Sequence, residues 1–296
     1  MEKFSDQLKI GEKYEPLELT VSRDLNHQFL KALDSTDSRY EELVHPGLLV
    51  NFCSITQSPS FALDQGIATV AAKFETIFHL PIKLNSRLTI EWNVIDVYER
   101  RSRLYQVCGV RVKNADLLAL ERKITNTFIG GVYLERRVQW EKDSAYRRSI
   151  PMSSFPQQGY EIVGRKRQLS MELMRLYSGG VPGPRWPARN IHTDREISIR
   201  SGIGRPVASG FMFEGYLIEL LTCFFGAAFF QGGKMGVTAI DMAGDGDTII
   251  PKMVLKKEYE SKISEGVDAE LWCENQYGNR IAVGGASFPI SNTNEE

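Results

Sequence analysis

The sequence lacks both a charge imbalance and a paired cysteine motif. Its formal net charge is −1, with acidic and basic residues interspersed, so no basic surface argues for nucleic acid or an anionic membrane. The four cysteines, Cys53, Cys108, Cys223 and Cys273, lie far apart in apolar surroundings and do not have the spacing of a zinc site. We therefore predict buried free thiols in a reducing compartment, no metal site and no nucleic-acid partner.

The sequence also shows no pattern that predicts a targeting segment, and it contains no long uncharged apolar run. Met1 to Asp6 does not show the basic-then-apolar order of a signal peptide. The longest apolar stretch, Phe211 to Phe230, is interrupted by Glu214 and Glu219, whereas a spanning helix needs about 18 residues with few or no charges. We expect a cytoplasmic protein that binds no membrane. No glycine-rich phosphate loop follows a strand and no GxSxG elbow occurs, so we expect no cofactor.

What the sequence does contain is a repeat at an offset of 161 to 163 residues. Tyr98-Glu99 recurs as Tyr259-Glu260, Asn114 as Asn275, Ala119 as Ala282, and Pro46-Gly47 as Ser209-Gly210. Correspondences in the same order indicate a duplicated unit. We predict one unit over residues 1–134, a polar linker over 135–165 that contains Pro151 and Pro156, and a second unit over 166–296.

Each predicted unit has one apolar helix followed by several strands. The helices are predicted over 48–58 and 211–229. The strands, rich in β-branched residues, are predicted over 67–74, 87–98, 104–113 and 118–128, and over 235–240, 248–259, 267–274 and 280–289. Two turn segments, 244–247 and 275–279, predict hairpins.

The second helix is apolar on nearly every face, so it must be wrapped rather than laid on a surface. An antiparallel sheet curled around it satisfies this requirement. The predicted fold class is α+β, with two antiparallel sheets, each wrapped around one long central helix.

A glycine- and proline-rich loop over 177–187 precedes the second helix and leads to His192. Most connections are shorter, which points to a functional loop. Asn190 or Asp194 could orient the imidazole so that one ring nitrogen is free for proton transfer. Ser209 and Gly210 then open the helix, whose unpaired backbone N–H groups could hold a thioester carbonyl oxygen as charge builds on it.

The two segments Asn190-Ile191-His192-Thr193-Asp194 and Val207-Ala208-Ser209-Gly210-Phe211-Met212 resemble the His-bearing segment of MaoC-like dehydratases and (R)-specific enoyl-CoA hydratases. In the first half, Leu43 to Leu49 and Val97 to Arg101 resemble the amino-terminal half of two-unit members, called double hot-dog proteins. The resemblance spans residues 19–289. It implies hydration or dehydration of an acyl thioester, with the first half shaping the acyl tunnel.

The resemblance also implies an Asp five residues before the His, with an Asn between them, as the family's acid/base arrangement. His192 and Gly210 match the family, but those two positions hold Pro187 and Arg189. Asp194 is our candidate for the missing acid, although it is equally suited to capping a helix. Glu214 is the alternative, because related single-unit dehydratases use a helix carboxylate beside the His.

The predicted function is therefore a hydro-lyase acting on a 3-hydroxyacyl or 2-enoyl thioester of coenzyme A or acyl carrier protein. The predicted catalytic residues are His192, Asp194 and Gly210, supported by Asn190, Ser209 and Glu214. Two alternatives stay open: a thioester hydrolase, and an inactive acyl-binding subunit. A homodimer is the expected assembly.

Overall fold

The strands in the described part of the chain form one antiparallel sheet. The computed structural model describes residues 8–53, 67–130, 161–179, 188–256, 259–260 and 265–290. Within them the strands are β1 (Leu17–Thr20), β2 (Ile67–Phe78), β3 (Arg87–Arg100), β4 (Arg103–Asn114), β5 (Leu117–Gly130), β6 (Glu161–Val163), β7 (Arg167–Gln168), β8 (Lys234–Ala239), β9 (Thr248–Leu255), β10 (Tyr259–Glu260), β11 (Glu265–Asn275) and β12 (Arg280–Ile290). Their order is β1-β3-β4-β5-β2-β8-β12-β11-β9-β6. Outside this order, β7 pairs with β9, and β10 pairs with β11.

This order contains the sequence repeat. From the centre of the sheet outward, the first half has the order β2-β5-β4-β3-β1, and the second half has the order β8-β12-β11-β9-β6. The strands of the two halves therefore correspond one to one. The halves meet where β2 pairs antiparallel with β8, with Glu75 opposite Gly236. These two positions differ by 236 − 75 = 161 residues, the offset of the repeat. The predicted duplication therefore appears as a two-fold relationship at the centre of the sheet.

The helices are α1 (Arg23–Ala32), α2 (Pro46–Phe52), α3 (Met171–Gly179), α4 (Arg195–Arg200) and α5 (Gly210–Phe225), with 3₁₀ turns at Ser38–Glu41 and Gly226–Phe230. The helix predicted over 211–229 is confirmed as α5 with its following turn. The helix predicted over 48–58 is found as α2, and residues 54–58 lie outside the described part of the chain.

Helix α5 is the centre of the hydrophobic core. Every residue from Phe211 to Thr222 is buried, as expected for a helix that is apolar all round. By length and composition alone, the segment Gly210–Phe230 could cross a membrane. Two-thirds of the relevant window, 67%, is buried inside the protein, where α5 contacts α2, β9 and β11. Its hydrophobicity is therefore accounted for by its position in the core.

A buried ion pair ties α5 to both halves. Arg167 donates a hydrogen bond of 2.7 Å to the Glu219 carboxylate and another of 2.9 Å to the backbone oxygen of Leu33. Its guanidinium also lies 4.7 Å from the ring centre of Tyr216. The guanidinium of Arg167 therefore connects β7 and α5 of the second half to the end of α1 in the first half.

The sheets of the two predicted units do lie side by side, and pairing of β2 with β8 removes an exposed edge from each. Other expectations need correction. The segment 275–279 is a hairpin between β11 and β12, but 244–247 is not, since β8 and β9 are not neighbours. Residues 161–163 of the predicted linker form β6, paired with β9; positions 135–160 lie outside the described residues. Three cysteines are buried as predicted, but Cys223 at the end of α5 is exposed.

Candidate active site

Asn190 fixes the loop that carries His192. Its side-chain oxygen accepts a hydrogen bond of 2.9 Å from the backbone N–H of His192, and its amide donates one of 3.1 Å to the backbone oxygen of Ser178 in α3. Thr193 closes the same turn, because its hydroxyl accepts from the N–H of Asn190 at 3.0 Å and donates to the oxygen of Ala188 at 2.7 Å. Asn190 therefore orients the backbone at His192 and not its imidazole ring.

The imidazole is oriented by the backbone that leads into α5. Nδ1 of His192 lies 2.8 Å from the oxygen of Val207. A carbonyl oxygen only accepts, so Nδ1 carries the proton and Nε2 keeps its lone pair. Burial lowers the pKa of His192 to about 4, and the hydrogen bond to Val207 raises it only partly back. The ring is therefore neutral at pH 7, and no described residue bonds its Nε2.

The start of α5 lies next to this ring. Ser209 is the N-cap, and its hydroxyl accepts from the N–H of Phe211 at 3.3 Å. The N–H of Gly210 has no acceptor among the described residues. A Cβ at Gly210 would lie 3.0 Å from Cζ of Phe74, so glycine permits the close approach of β2 to the helix start. The helix therefore presents the N–H of Gly210, unbonded among the described residues, in a position that the helix dipole makes favourable for an oxygen carrying negative charge.

The equivalent helix start in the first half is closed. There Pro46 occupies the first helical position and has no N–H. The N–H of Gly47 donates at 2.9 Å to Nδ1 of His45, the N-cap of α2. Burial lowers the pKa of His45 to about 3, so this ring is a neutral cap. The described geometry thus gives an open helix start in the second half and a capped one in the first.

His192 and Gly210 line one cavity of about 80 Å³. The cavity lies between the halves, because β2 and β5 of the first half form its opposite wall. Residues from the second half are Ile191, Ile203, Val207, Ala208, Ser209, Phe211, Phe213, Ala239, Asp241 and Met242; those from the first half are Thr69, Val70, Ala71 and Asn126. A β-bulge interrupts the pairing of β2 between Ala71 and Lys73, and bulges of this kind are frequent beside active sites.

The structure places Asp194 at the N-cap of α4. One carboxylate oxygen accepts from the N–H of Ile197 at 3.1 Å, and the other accepts from Arg189 at 2.6 Å. The hydrogen bonds from Arg189 and Ile197 hold the pKa of Asp194 below its usual value. Asp194 does not line the cavity, so this geometry favours the capping role that the sequence also allowed.

Glu214 is held by the first half of the chain. Arg122 of β5 donates to both of its oxygens, at 2.6 Å each, and the two side chains are almost completely buried, at 0% and 1% exposure. Neither residue lines the cavity that contains His192. The carboxylate is thus committed to a structural ion pair.

Sequence reasoning expected the first half to shape the acyl tunnel, but it named none of the cavity residues that the first half and the end of β8 contribute. Thr69 and Asn126 face the site only because the sheet is continuous, and no local motif marks them. Asp241 follows β8 and is the acidic residue that lines the cavity within the described part of the chain. One of its oxygens accepts from the N–H of Met242 at 2.8 Å. In the sequence, Asp241 could have been found by its position just after a predicted strand and three residues before Gly244.

Comparison with known proteins gives a result at the level of structure. No protein-family model matches the chain, and no curated protein matches its sequence. A MaoC-like dehydratase superposes with a TM-score of 0.71 at 14% identity, covering 95% of this chain and 98% of its own. A Mycobacterium tuberculosis protein described as a double hot-dog gives 0.61 at 13% identity over 97% and 98%.

The chain has the double hot-dog fold. A protein assigned as an oleoyl thioesterase from Lactobacillus plantarum also superposes, with a TM-score of 0.56 at 9% identity, covering 98% of this chain and 100% of that one. The fold predicted from the sequence is therefore confirmed, and the chemistry must be argued from the site itself.

Proposed function

We propose that this double hot-dog protein is a hydro-lyase that interconverts a 3-hydroxyacyl thioester and its 2-enoyl thioester. The observation that carries the proposal is one cavity bounded by a neutral histidine and by the N–H of Gly210. No described residue bonds Nε2 of that histidine, and none accepts from that N–H. The first is a proton acceptor and the second a donor for a developing oxyanion.

Each group has a defined task in dehydration. Nε2 of His192 removes the α-proton of the thioester, and the Gly210 N–H stabilises the negative charge that moves onto the carbonyl oxygen. The enolate electrons then form the α–β double bond as the β-hydroxyl leaves. The leaving oxygen takes a proton and departs as water. Hydration is the same sequence in reverse.

The proton for the leaving hydroxyl has two candidate sources in the cavity. His192 can return the proton that it took from the α-carbon, which makes it the sole acid and base. Asp241 lines the same cavity and can act as a second group. Asp241 would then replace the family acid whose position is Pro187 here.

Similarity in fold supports this assignment, since a MaoC-like dehydratase superposes over nearly the whole chain. One observation favours a second candidate: the position of the family acid is Pro187, and both carboxylates predicted from the sequence are engaged elsewhere. A thioester hydrolase needs only a positioned water and can do without that acid. The resemblance to a protein assigned as a thioesterase is consistent with this candidate.

The experiment is an assay of the purified chain with 3-hydroxyacyl, 2-enoyl and saturated acyl thioesters of coenzyme A and of acyl carrier protein. A hydro-lyase interconverts the first two and releases no thiol. Thiol release from all three identifies a hydrolase, and binding without turnover identifies an acyl-binding subunit. Asp241→Asn then divides the proton steps: a fall in rate assigns one to Asp241, and an unchanged rate leaves both with His192.

A further inference from the structure

Thr69 contains a buried polar atom without a partner. Its Oγ1 is inaccessible to solvent and makes no hydrogen bond to any residue that the structure describes. A buried hydroxyl without a partner destabilises a fold, because its hydrogen bonds to water are lost and nothing replaces them. Such a group in a native protein calls for an explanation. Thr69 also lines the cavity that holds His192 and Gly210, which suggests that the missing partner is a ligand.

The register of the sheet directs Thr69 toward the site. Thr69 and Ala71 pair with Phe128 and Asn126 of β5. On β5 the alternating positions 122, 124, 126 and 128 are all buried, so this is the face that carries α5. Because side chains alternate across a strand, Thr69 and Ala71 lie on that same inner face.

The spacing between Thr69 and the helix start fits a bifunctional ligand. The backbone oxygen of Ala71 lies 3.8 Å from the position that a Cβ of Gly210 would occupy, so β2 touches the helix start at Ala71. Thr69 is two residues further along the strand, or about 6.6 Å. A 3-hydroxyacyl thioester has two oxygens about 3 to 4 Å apart. One hydrogen bond of about 2.9 Å from each oxygen, at an angle to the line between the oxygens, spans the rest of the distance between the helix start and Thr69.

The chemistry of the polar groups assigns each oxygen. The Gly210 N–H only donates, which suits a thioester carbonyl. The Thr69 hydroxyl both donates and accepts, which suits an alcohol or a water molecule. We propose that Thr69 is a substrate-binding residue contributed by the first half, and that its hydroxyl bonds the β-oxygen of the 3-hydroxyacyl thioester or of the attacking water. This inference rests on the proposed function and makes the site a joint product of both halves.

The test uses Thr69→Val, Thr69→Ser and a control, Thr127→Val. Valine keeps the shape of threonine and removes the hydroxyl, whereas serine keeps the hydroxyl. Thr127 lies on the neighbouring strand with its hydroxyl bonded to the oxygen of Leu104 at 3.2 Å, outside the cavity. Binding of a 3-hydroxyacyl and of a saturated acyl thioester is measured by calorimetry for each variant, together with kcat, KM and melting temperature.

The expected pattern separates ligand binding from folding. Thr69→Val should bind the 3-hydroxyacyl thioester about tenfold more weakly and the saturated thioester as the wild type does. Its melting temperature should be unchanged or higher, because a buried hydroxyl without a partner is removed. Thr69→Ser should retain wild-type affinity. Thr127→Val should lower the melting temperature and leave both affinities unchanged.

Two outcomes overturn the inference: equal affinity of Thr69→Val and the wild type for the 3-hydroxyacyl thioester, or a parallel loss for both ligands. If the wild type turns over no thioester, the hydro-lyase proposal fails. The difference between the two ligands in the binding experiment still decides the role of Thr69.

Discussion

Arg122 and Glu214 form a bidentate ion pair across the two halves of the chain. Arg122 belongs to β5 of the first half and Glu214 to α5 of the second. Both N···O distances are 2.6 Å. Arg122 also donates at 2.7 Å to the hydroxyl of Thr76, and its guanidinium lies 5.3 Å and 5.0 Å from the ring centres of Phe74 and Phe211. This pair joins Glu214 to the first half of the chain, and neither residue lines the cavity that contains His192.

The first prediction concerns this pair. Glu214→Gln leaves a buried guanidinium without its counter-charge, and we expect the free energy of unfolding in urea to fall by about 3–5 kcal/mol. Arg122→Met combined with Glu214→Leu removes both charges and should recover most of that loss, since replacing a buried pair with apolar residues is often neutral. A Glu214→Gln variant of normal stability without turnover would instead make Glu214 the acid.

The second prediction concerns Asp194. Asp194→Ala removes the cap of α4 and should lower the melting temperature, while kcat for a 3-hydroxyacyl thioester stays within about twofold. Asp194→Asn keeps a capping oxygen and loses only an exposed ion pair, which contributes little to stability. We therefore expect almost no change in stability or kcat. Ser22→Ala is the matched control, because Ser22 caps α1 through the N–H of Leu25 at 3.2 Å, far from His192 in the sequence. A large loss of kcat in Asp194→Asn at normal stability would return Asp194 to the chemistry.

The sequence predicted the architecture well because the repeat and the alternation of side chains are local patterns. The eight strands and the helix at α5 were found within a few residues of their bounds. Of the residues predicted for the site, His192, Ser209 and Gly210 line the cavity, and they lie within one short stretch of the chain. Thr69 and Asn126 reach the cavity through the pairing of β2 with β5 and of β2 with β8, which no short-range pattern encodes. The hydrogen bonds between Glu214 and Arg122 depend on three-dimensional proximity, and those between Asp194 and Arg189 depend on the local turn. Residue type alone predicts neither pairing.

The third prediction is the loss of turnover in His192→Gln. Glutamine has no basic nitrogen, so the proton transfer at the α-carbon should slow by at least about 10²-fold in kcat. The far-ultraviolet circular dichroism and the melting transition should show a folded protein. Turnover at the wild-type rate in this variant would exclude His192 as the base.

The fourth prediction is the pH dependence of kcat/KM. The base is the neutral imidazole, and burial lowers its pKa to about 4, so activity is lost only as the pH falls through about 4. Between pH 7 and pH 5 kcat/KM should stay nearly constant. A histidine with the ordinary pKa of about 6.5 would lose activity about 30-fold at pH 5. Such a loss at pH 5, in a protein still folded by circular dichroism, would contradict the buried neutral ring.

The same pKa has a consequence for stability. The folded-state pKa of His192 lies below the unfolded value of about 6.5, so the unfolded chain binds more protons between the two. The contribution of the neutral ring is fully present above about pH 6.5 and is lost as the pH falls toward about 4. Melting curves should therefore show a smaller drop between pH 7 and pH 5 for His192→Gln than for the wild type. Equal drops would place the ring in solvent.

The last prediction separates two roles of Gly210: the hydrogen bond that its backbone N–H donates, and the space left by its missing side chain. Gly210→Ala and Gly210→Pro both add a Cβ, which meets Cζ of Phe74 at 3.0 Å, but only proline removes the N–H. Proline is tolerated at the first position of a helix, and Ser209 already has the extended backbone, at φ −64° and ψ 138°, that a following proline requires. Pro46 occupies the corresponding first position of α2. We expect Gly210→Pro to have a kcat at least about 10²-fold below that of Gly210→Ala, since one oxyanion donor is lost, while the two variants melt at similar temperatures. Equal rates in the two variants would show that the carbonyl oxygen is held elsewhere and that glycine is needed here only for its contact with β2.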